Sequence, residues 1–190
     1  MKSKTIFLAI ILSSVLSVNA QVFNTGQTLK PGKFSLGVEP SIIINGNSDF
    51  MLFFHGGYGL KSGTDFGLTL GVLNGDTYIG GDVEFTIAKR ISLSAGAHHW
   101  GNFGLDATLL GTLPITKAVN FFGGLDTDIN FIKADTDGDG DKETDTKFLL
   151  WLPLGVEVGL RSNLAFIFEA SVGLTDPAYH LIGGGVVVYF

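Results

Sequence analysis

Hydrophobic and polar residues alternate with a period of two along most of this chain, most clearly over residues 147–161. One register of that segment is entirely hydrocarbon: Phe148, Leu150, Leu152, Leu154, Val156, Val158 and Leu160. The other register mixes small, aromatic and charged residues, among them Trp151, Gly155 and Glu157. Because side chains of a β-strand point to opposite faces in turn, the segment predicts a strand with one apolar face. Strands of soluble domains usually have about 5 to 6 residues, whereas a tilted strand that crosses a bilayer needs about 9 to 11. The length therefore indicates a membrane-spanning strand.

The same alternation recurs in nine further segments, which turn-forming residues separate. Asn74-Gly75-Asp76 is the strongest hairpin signal, because asparagine and glycine adopt the positive φ angles of tight turns. The ten predicted strands cover residues 34–44, 50–60, 66–72, 77–87, 91–99, 103–113, 119–131, 147–161, 164–172 and 180–190. This pattern predicts an all-β fold, a transmembrane antiparallel up-and-down β-barrel of ten strands.

Pro40 and Pro153 lie inside two of the predicted strands. Every strand of a closed barrel has a neighbour on each side, and proline has no N–H group to donate to either ladder. We therefore expect a β-bulge at each proline.

An even number of strands places both chain ends on one side of the membrane. If that side is the periplasm, the longest polar connection, 135–147, lies outside the cell, where longer loops are expected. The outward aromatic residues also fall near the predicted strand ends, as the two interfaces of a bilayer favour. The distribution of loops and aromatic residues therefore agrees with the barrel.

The first twenty residues resemble a secretory signal peptide. Lys2 and Lys4 precede an apolar run over residues 6–18, and Val18-Asn19-Ala20 forms a small-residue cleavage site. The apolar run is short for an uncleaved membrane anchor. We therefore divide the chain into a cleaved signal peptide at 1–20, a periplasmic lead-in at 21–33 and an outer-membrane β-barrel domain at 34–190.

Composition narrows the function classes. Hydrophobic residues make up 45% of the chain and the mean hydropathy is +0.36, yet after the signal no apolar run reaches the ~18 residues of a spanning helix. The apolar residues are therefore dispersed along the chain.

The net charge is −6, and removal of Lys2 and Lys4 makes it more negative. Nucleic acid is therefore not an expected partner. The chain has no cysteine, so a closed hydrogen-bond ladder in lipid must replace disulfides as the source of stability.

The register opposite the apolar one carries most acidic residues of the predicted strands. The predicted luminal carboxylates are Glu39, Asp82, Glu84, Asp106, Asp126, Asp128, Glu157 and Glu169. Unpaired buried charges are costly, so this lumen must hold water, ions or neutralising partners. A continuous path along it would prefer cations. Ten strands leave little room once side chains are placed, however, and a plugged lumen is the alternative.

The chain ends in Gly-Gly-Gly-Val-Val-Val-Tyr-Phe, an alternating apolar strand that closes on Phe190. Together with the signal and the ten strands, this ending resembles the small Gram-negative outer-membrane β-barrels of eight to ten strands. The resemblance implies a place in the cell outer membrane, contact with its lipid, and recognition of Phe190 by the barrel-assembly machinery. It selects no subfamily, ligand or transported solute.

The long polar connection contains an acidic run that resembles the first half of an EF-hand calcium loop. Its candidate oxygen ligands are Asp135, Asp137, Asp139, Asp141 and Glu143. Thr146 stands where the EF-hand family has its bidentate glutamate. A solvated acidic loop is therefore the preferred interpretation, and weak calcium binding is the alternative.

No set of residues predicts catalysis. His98, His99 and His180 lie near the predicted outer rim, but strand alternation sends His98 and His99 to opposite faces, which favours interfacial polar residues over a metal site. Ten-stranded outer-membrane proteases use an Asp-x-His spacing that this sequence lacks. No serine, histidine and acid set can be assigned to one face. We therefore expect no enzyme, and no cofactor beyond the calcium alternative.

Three functions remain as hypotheses. The first is a non-enzymatic outer-membrane β-barrel with a structural or surface-interaction role. The second is a narrow cation-preferring, porin-like channel. The third is a soluble secreted lipocalin-like binding barrel with its apolar register inside. The register opposite the apolar one disfavours this lipocalin-like barrel. Glycine, serine, threonine and asparagine dominate that register, and its charges are sparse for a solvated exterior.

Overall fold

The computed structural model describes residues 25–45, 47–73, 76–134 and 143–190. Its strands are β1 (Phe34–Asn45), β2 (Asn47–Lys61), β3 (Thr64–Leu73), β4 (Asp76–Ala88), β5 (Ile91–Trp100), β6 (Asn102–Pro114), β7 (Val119–Ala134), β8 (Glu143–Arg161), β9 (Leu164–Gly173) and β10 (His180–Tyr189). Within these ranges no helix has the length and apolar character to cross a membrane.

Each strand pairs antiparallel with its neighbours in the sequence, and β1 pairs with β10, so the sheet closes into a barrel. The predicted all-β fold with ten strands is confirmed. The turns that follow β2, β4 and β8 each begin with a one-residue register shift. In two of them a residue takes the left-handed conformation that a bulged tight turn requires, Gly63 at φ 75° and Arg90 at φ 66°. We call the end of the barrel that holds these turns and the start of β1 the terminal end, and the opposite one the loop end.

The expected bulges at Pro40 and Pro153 are wrong. The pairing register of each proline strand with both neighbours is the same before and after the proline. Instead, the β1–β10 ladder omits the pairs of Glu39 and Pro40, and the β7–β8 ladder omits those of Leu152 and Pro153. A short unpaired stretch in one of the two ladders therefore accommodates each missing N–H group, with no inserted residue.

Large apolar side chains cover the outside of the barrel. Leu36, Phe50 and Leu113 are exposed by 56%, 58% and 58%, and every strand contributes further examples. Soluble monomers rarely expose continuous apolar patches larger than a few hundred Å². The apolar register therefore faces lipid, and the chain crosses a bilayer as a closed sheet. The lipocalin-like alternative, which requires the apolar register inside, is wrong.

The part of the predicted lead-in that the structure describes, residues 25–33, enters the terminal end of the barrel. We call it the plug segment. Thr25 and Leu29 are buried, and the Leu29 N–H donates a hydrogen bond to Asp65 Oδ2 over 2.6 Å. The Thr112 hydroxyl donates to the Thr25 carbonyl. The plug segment is therefore part of the folded barrel, whereas the sequence predicted only a periplasmic lead-in. Residues 21–24 of that lead-in lie outside the described ranges.

The plug segment is also hydrogen-bonded to the terminal end of β2. The Gly32 N–H donates to the Gly59 carbonyl and the Gly59 N–H donates to the Lys33 carbonyl, both over 2.8 Å. A Cβ atom on Gly59 would collide with the Lys30 carbonyl. Glycine at this position therefore lets the segment turn back from the start of β1 against the sheet.

Candidate luminal site

The middle of the lumen contains a cavity of about 230 Å³. Strands from all around the barrel line it, because the register opposite the apolar one points inward on every strand. Its carboxyl groups belong to Glu39, Asp82, Asp106, Asp126, Asp128 and Glu169. We call this space the acidic cavity. Within the described ranges its lining includes His55 but no lysine or arginine.

Hydroxyl groups and one imidazole hold three of these carboxylates in place. Glu39 hydrogen-bonds with His55 Nε2 and accepts from Ser41 Oγ, both over 2.9 Å. The Thr108 hydroxyl donates to Asp126 over 2.6 Å, and the Ser171 hydroxyl donates to Glu169 over 2.9 Å. Ser41 and Ser171 follow their carboxylates by two residues on the same strand, Thr108 faces Asp126 across the β6–β7 ladder, and His55 lies on β2, next to the strand of Glu39. The carboxylates are therefore oriented by short, local contacts.

Glycines on the inward register make room for the carboxylates. A Cβ atom on Gly183 would collide with the Glu39 carboxylate. A Cβ atom on Gly96 would lie 2.7 Å from Asp106 Oδ1 and 2.9 Å from the Cβ of Asp82. Both approaches are closer than real Cβ atoms tolerate. Glycine at these positions therefore leaves space for the carboxylates to extend over neighbouring strands.

Aromatic rings form the rest of the wall. Phe53, Tyr78, Trp151 and Tyr179 line the acidic cavity. The Phe53 and Tyr78 rings meet edge to face at 5.6 Å, and the Trp151 and Tyr179 rings do so at 5.4 Å. The Trp151 indole N–H donates to the Tyr179 carbonyl over 2.7 Å. These contacts fix the rings at the loop end of the cavity.

Tyr179 comes from the connection between β9 and β10, which folds inward across the loop end. The Leu174 N–H donates to the Leu150 carbonyl over 2.8 Å, and the Thr175 hydroxyl accepts from the Leu150 N–H over 3.2 Å. Burial and the nearby Asp128 and Asp126 raise the pKa of the Tyr179 hydroxyl. That hydroxyl therefore stays protonated and remains a hydrogen-bond donor.

A second space of about 400 Å³ lies on the loop side of the acidic cavity. Tyr78, Asp128 and Tyr179 line both spaces and so stand between them. We call this second space the vestibule. Its wall also includes Trp100 and Lys147. The two spaces together occupy the loop half of the lumen.

His98 lines the vestibule and belongs to the lumen. Its ring nitrogens lie 3.3 Å from Asp106 Oδ2, 3.0 Å from Asn130 Oδ1 and 3.8 Å from Asp128 Oδ2. The ring stacks on Tyr78 at 5.5 Å. His98 was expected at the membrane interface; the structure buries it inside the barrel, while His99 on the opposite face is exposed. No group of three or more histidine or acidic side chains in the described ranges is arranged to hold a metal ion.

Apolar side chains occupy part of the lumen on the terminal side of the acidic cavity. Leu29 of the plug segment packs with residues of β6, β7, β9 and β10, and all members of the group are 9% exposed or less. The group, called the apolar cluster here, comprises Leu29, Leu110, Phe122, Ala165, Ile167, Val187 and Tyr189. This side of the terminal half is therefore a packed apolar core, whereas Ser92 of β5 and Glu157 of β8 are buried polar residues of the same half.

The eight predicted luminal carboxylates divide between these regions. Six line the acidic cavity, as given above. Glu84 and Glu157 are 2% and 1% exposed and do not line it. Glu157 accepts a hydrogen bond from Asn120 Nδ2 over 2.8 Å, and Glu84 faces Asp65 across the β3–β4 ladder near the plug segment. The two groups therefore belong to the terminal half.

The suggested calcium ligands Asp135, Asp137, Asp139 and Asp141 lie outside the described residues. Glu143 is the first residue of β8 and is exposed. His180 begins β10, where its Nδ1 accepts from the Gly173 N–H over 3.1 Å. Neither Glu143 nor His180 lines the acidic cavity.

Comparison with known proteins identifies resemblance of shape alone. No protein-family model and no curated protein matches the sequence. Among solved structures, the NanC porin is 13% identical, with 80% of this chain and 98% of that chain covered and a TM-score of 0.48. Neisserial surface protein A is 13% identical over 83% of this chain and 96% of its own, with a TM-score of 0.43. Ail of Yersinia pestis, solved with the heparin analogue sucrose octasulfate, is 13% identical over 84% and 99%, with a TM-score of 0.41. Likenesses this distant carry no functional information.

Four important residues escaped sequence reasoning. His55 and Trp151 occupy the inward register of their strands, but neither is acidic, so a search for charge passed over them. Tyr179 lies in a connection and Leu29 in the lead-in, where no strand period exists to assign a direction. The signal available for Leu29 was its apolar character within an otherwise polar segment.

Proposed function

We propose that this protein is a non-enzymatic outer-membrane β-barrel with a structural or surface-interaction role. The proposal is supported by the lipid-facing exterior, the signal-like leader and the aromatic C-terminus. The observation that carries the proposal is the apolar cluster, in which the plug segment packs against β6, β7, β9 and β10 inside the terminal end of the lumen.

The C-terminal residue fits recognition by the barrel-assembly machinery. The Phe190 ring stacks on Phe34 at 4.5 Å on the outside of the closing β1–β10 seam, and its N–H donates to the Phe34 carbonyl over 2.9 Å. The Phe190 side chain is 48% exposed. An unpaired C-terminal strand would present this ring before the seam closes, so recognition at that stage is part of the proposal.

A planar-bilayer recording tests the proposal. The refolded protein, with insertion confirmed by its heat-modifiable migration in electrophoresis, is expected to produce no conductance steps above the lipid background. The physical reason is that the plug segment and the apolar cluster occupy the terminal end of the lumen, and ions cannot pass between packed apolar side chains without leaving water.

The second candidate is a narrow cation-preferring channel, which the lining of the acidic cavity favours. Reproducible steps with a reversal potential that favours potassium over chloride would support this channel and contradict the proposed function.

A further inference from the structure

The acidic cavity has different surroundings at its two ends. On its terminal side the apolar cluster and the plug segment occupy part of the lumen. On its loop side the cavity adjoins the vestibule, because Tyr78, Asp128 and Tyr179 line both spaces. A molecule that enters from the loop end would therefore reach the cavity through the vestibule.

The charge of the cavity favours a positively charged ligand. Six carboxyl groups line about 230 Å³, and the described lining offers only His55 as a basic side chain. The His55 imidazole is already engaged with Glu39 and lies 3.3 Å from the Thr69 hydroxyl. Carboxylates in a confined interior are stable only when they are protonated, hydrated or neutralised by a cation.

The aromatic walls select among cations. A cavity of about 230 Å³ holds several water-sized groups, since one water occupies about 30 Å³ in the liquid. Rings of Phe53, Tyr78, Trp151 and Tyr179 share this wall with the carboxylates. Ring faces attract organic cations, and a planar guanidinium both stacks on rings and donates paired hydrogen bonds to carboxylates.

We infer that the acidic cavity is a binding site for a small organic cation of the guanidinium class. The carboxylates of Asp126 and Asp128 accept its N–H groups, and the Trp151 and Tyr179 rings contact its plane. This site goes beyond the proposed function, since a barrel can be non-conducting whether or not its cavity binds a ligand.

Tryptophan fluorescence provides the readout, because the chain contains two tryptophans. Trp151 lines the acidic cavity and Trp100 lines only the vestibule, so a W100F variant reports on the cavity alone. The full mature chain is refolded from urea into detergent and titrated with methylguanidinium chloride at constant ionic strength. Methylurea, which has nearly the same shape without the charge, is the matched probe.

The expected result is a saturable change in Trp151 fluorescence with methylguanidinium that methylurea and potassium chloride do not produce. D126N/D128N in the W100F background is expected to raise the dissociation constant at least tenfold. E157Q is the matched control variant, because Glu157 is a luminal carboxylate outside the cavity, and its dissociation constant is expected to stay within twofold. If D126N/D128N fails to fold, D82N replaces it, since Asp82 also lines the cavity.

Three results would overturn the inference: no saturable change in the W100F protein, an equal change with methylurea or with potassium chloride, or an equal weakening by E157Q. None of these results bears on conductance, so the inference and the proposed function can fail separately.

Discussion

Inward-facing residues follow different rules in the two halves of the lumen. In the loop half, polar inward residues alternate with apolar outward ones, and Asp126 and Asp128 on β7 line the acidic cavity. In the terminal half, Phe122, Ile167 and Val187 are apolar although they also point inward. The sequence of β9 and β10 contains a sign of this change, because residues 164–168 and 186–189 are apolar in both registers, which is typical of strands buried on both faces. Alternation predicts direction, but it does not reveal which inward side chains meet at one level of the barrel.

Leu29 links the plug segment to the apolar cluster, and L29A tests that link. Removing a buried leucine side chain leaves a cavity, so the free energy of unfolding is expected to fall by about 2 to 5 kcal/mol. Urea unfolding from lipid vesicles, followed by tryptophan fluorescence, measures the loss. L36A is the control, because Leu36 is 56% exposed to lipid and acyl chains can fill the space it leaves. A loss for L29A no larger than that for L36A would show that Leu29 does not pack in the folded lumen.

Strand identity followed directly from the period of two and from the turn residues, and all ten predicted segments became strands. The observed strands are longer at the loop end, where β7 continues to Ala134 and β8 begins at Glu143. Polar pairs such as Lys133 with Thr144 extend this ladder beyond the apolar band, where alternation gives no signal.

The plug segment was missed for a related reason. It is not a strand, and its position depends on contacts with β2 and β3 that are distant in the sequence.

The contact between the plug segment and β2 can be tested with G59A. A Cβ atom at this position collides with the Lys30 carbonyl, so the segment is expected to leave the barrel end. Limited trypsin digestion measures the effect, since Lys33 lies in the segment and is followed by Phe34, whereas Pro31 protects the bond after Lys30. Cleavage there is expected to be at least tenfold faster in G59A than in the unmodified protein. G56A is the control, because a Cβ atom there meets only Leu36 Cδ2, at 3.9 Å. Equal cleavage rates in G59A and G56A would contradict the docking of the segment.

At the scale of the whole molecule, one physical division explains the fold. One register of every strand contacts lipid, and the other encloses a lumen that holds the acidic cavity and, toward the terminal end, the apolar cluster. The closed ladder satisfies the backbone hydrogen bonds that lipid cannot. The barrel and its exterior could be predicted from the sequence, because both depend on local periodicity. The apolar cluster could not, because it depends on side chains from five separate parts of the chain converging inside the lumen.

The most direct test of this division is a single-cysteine scan along β3 over residues 65–72, in a chain that has no cysteine of its own. Each cysteine carries a fluorophore, and the refolded protein is placed in vesicles whose acyl chains bear a bromine quencher. Strong quenching is expected at the outward positions Phe66, Leu68, Leu70 and Val72. Weak quenching is expected at Asp65, Gly67, Thr69 and Gly71. Uniform quenching along the strand, or quenching that is stronger at the second set, would contradict a barrel with its apolar register in lipid.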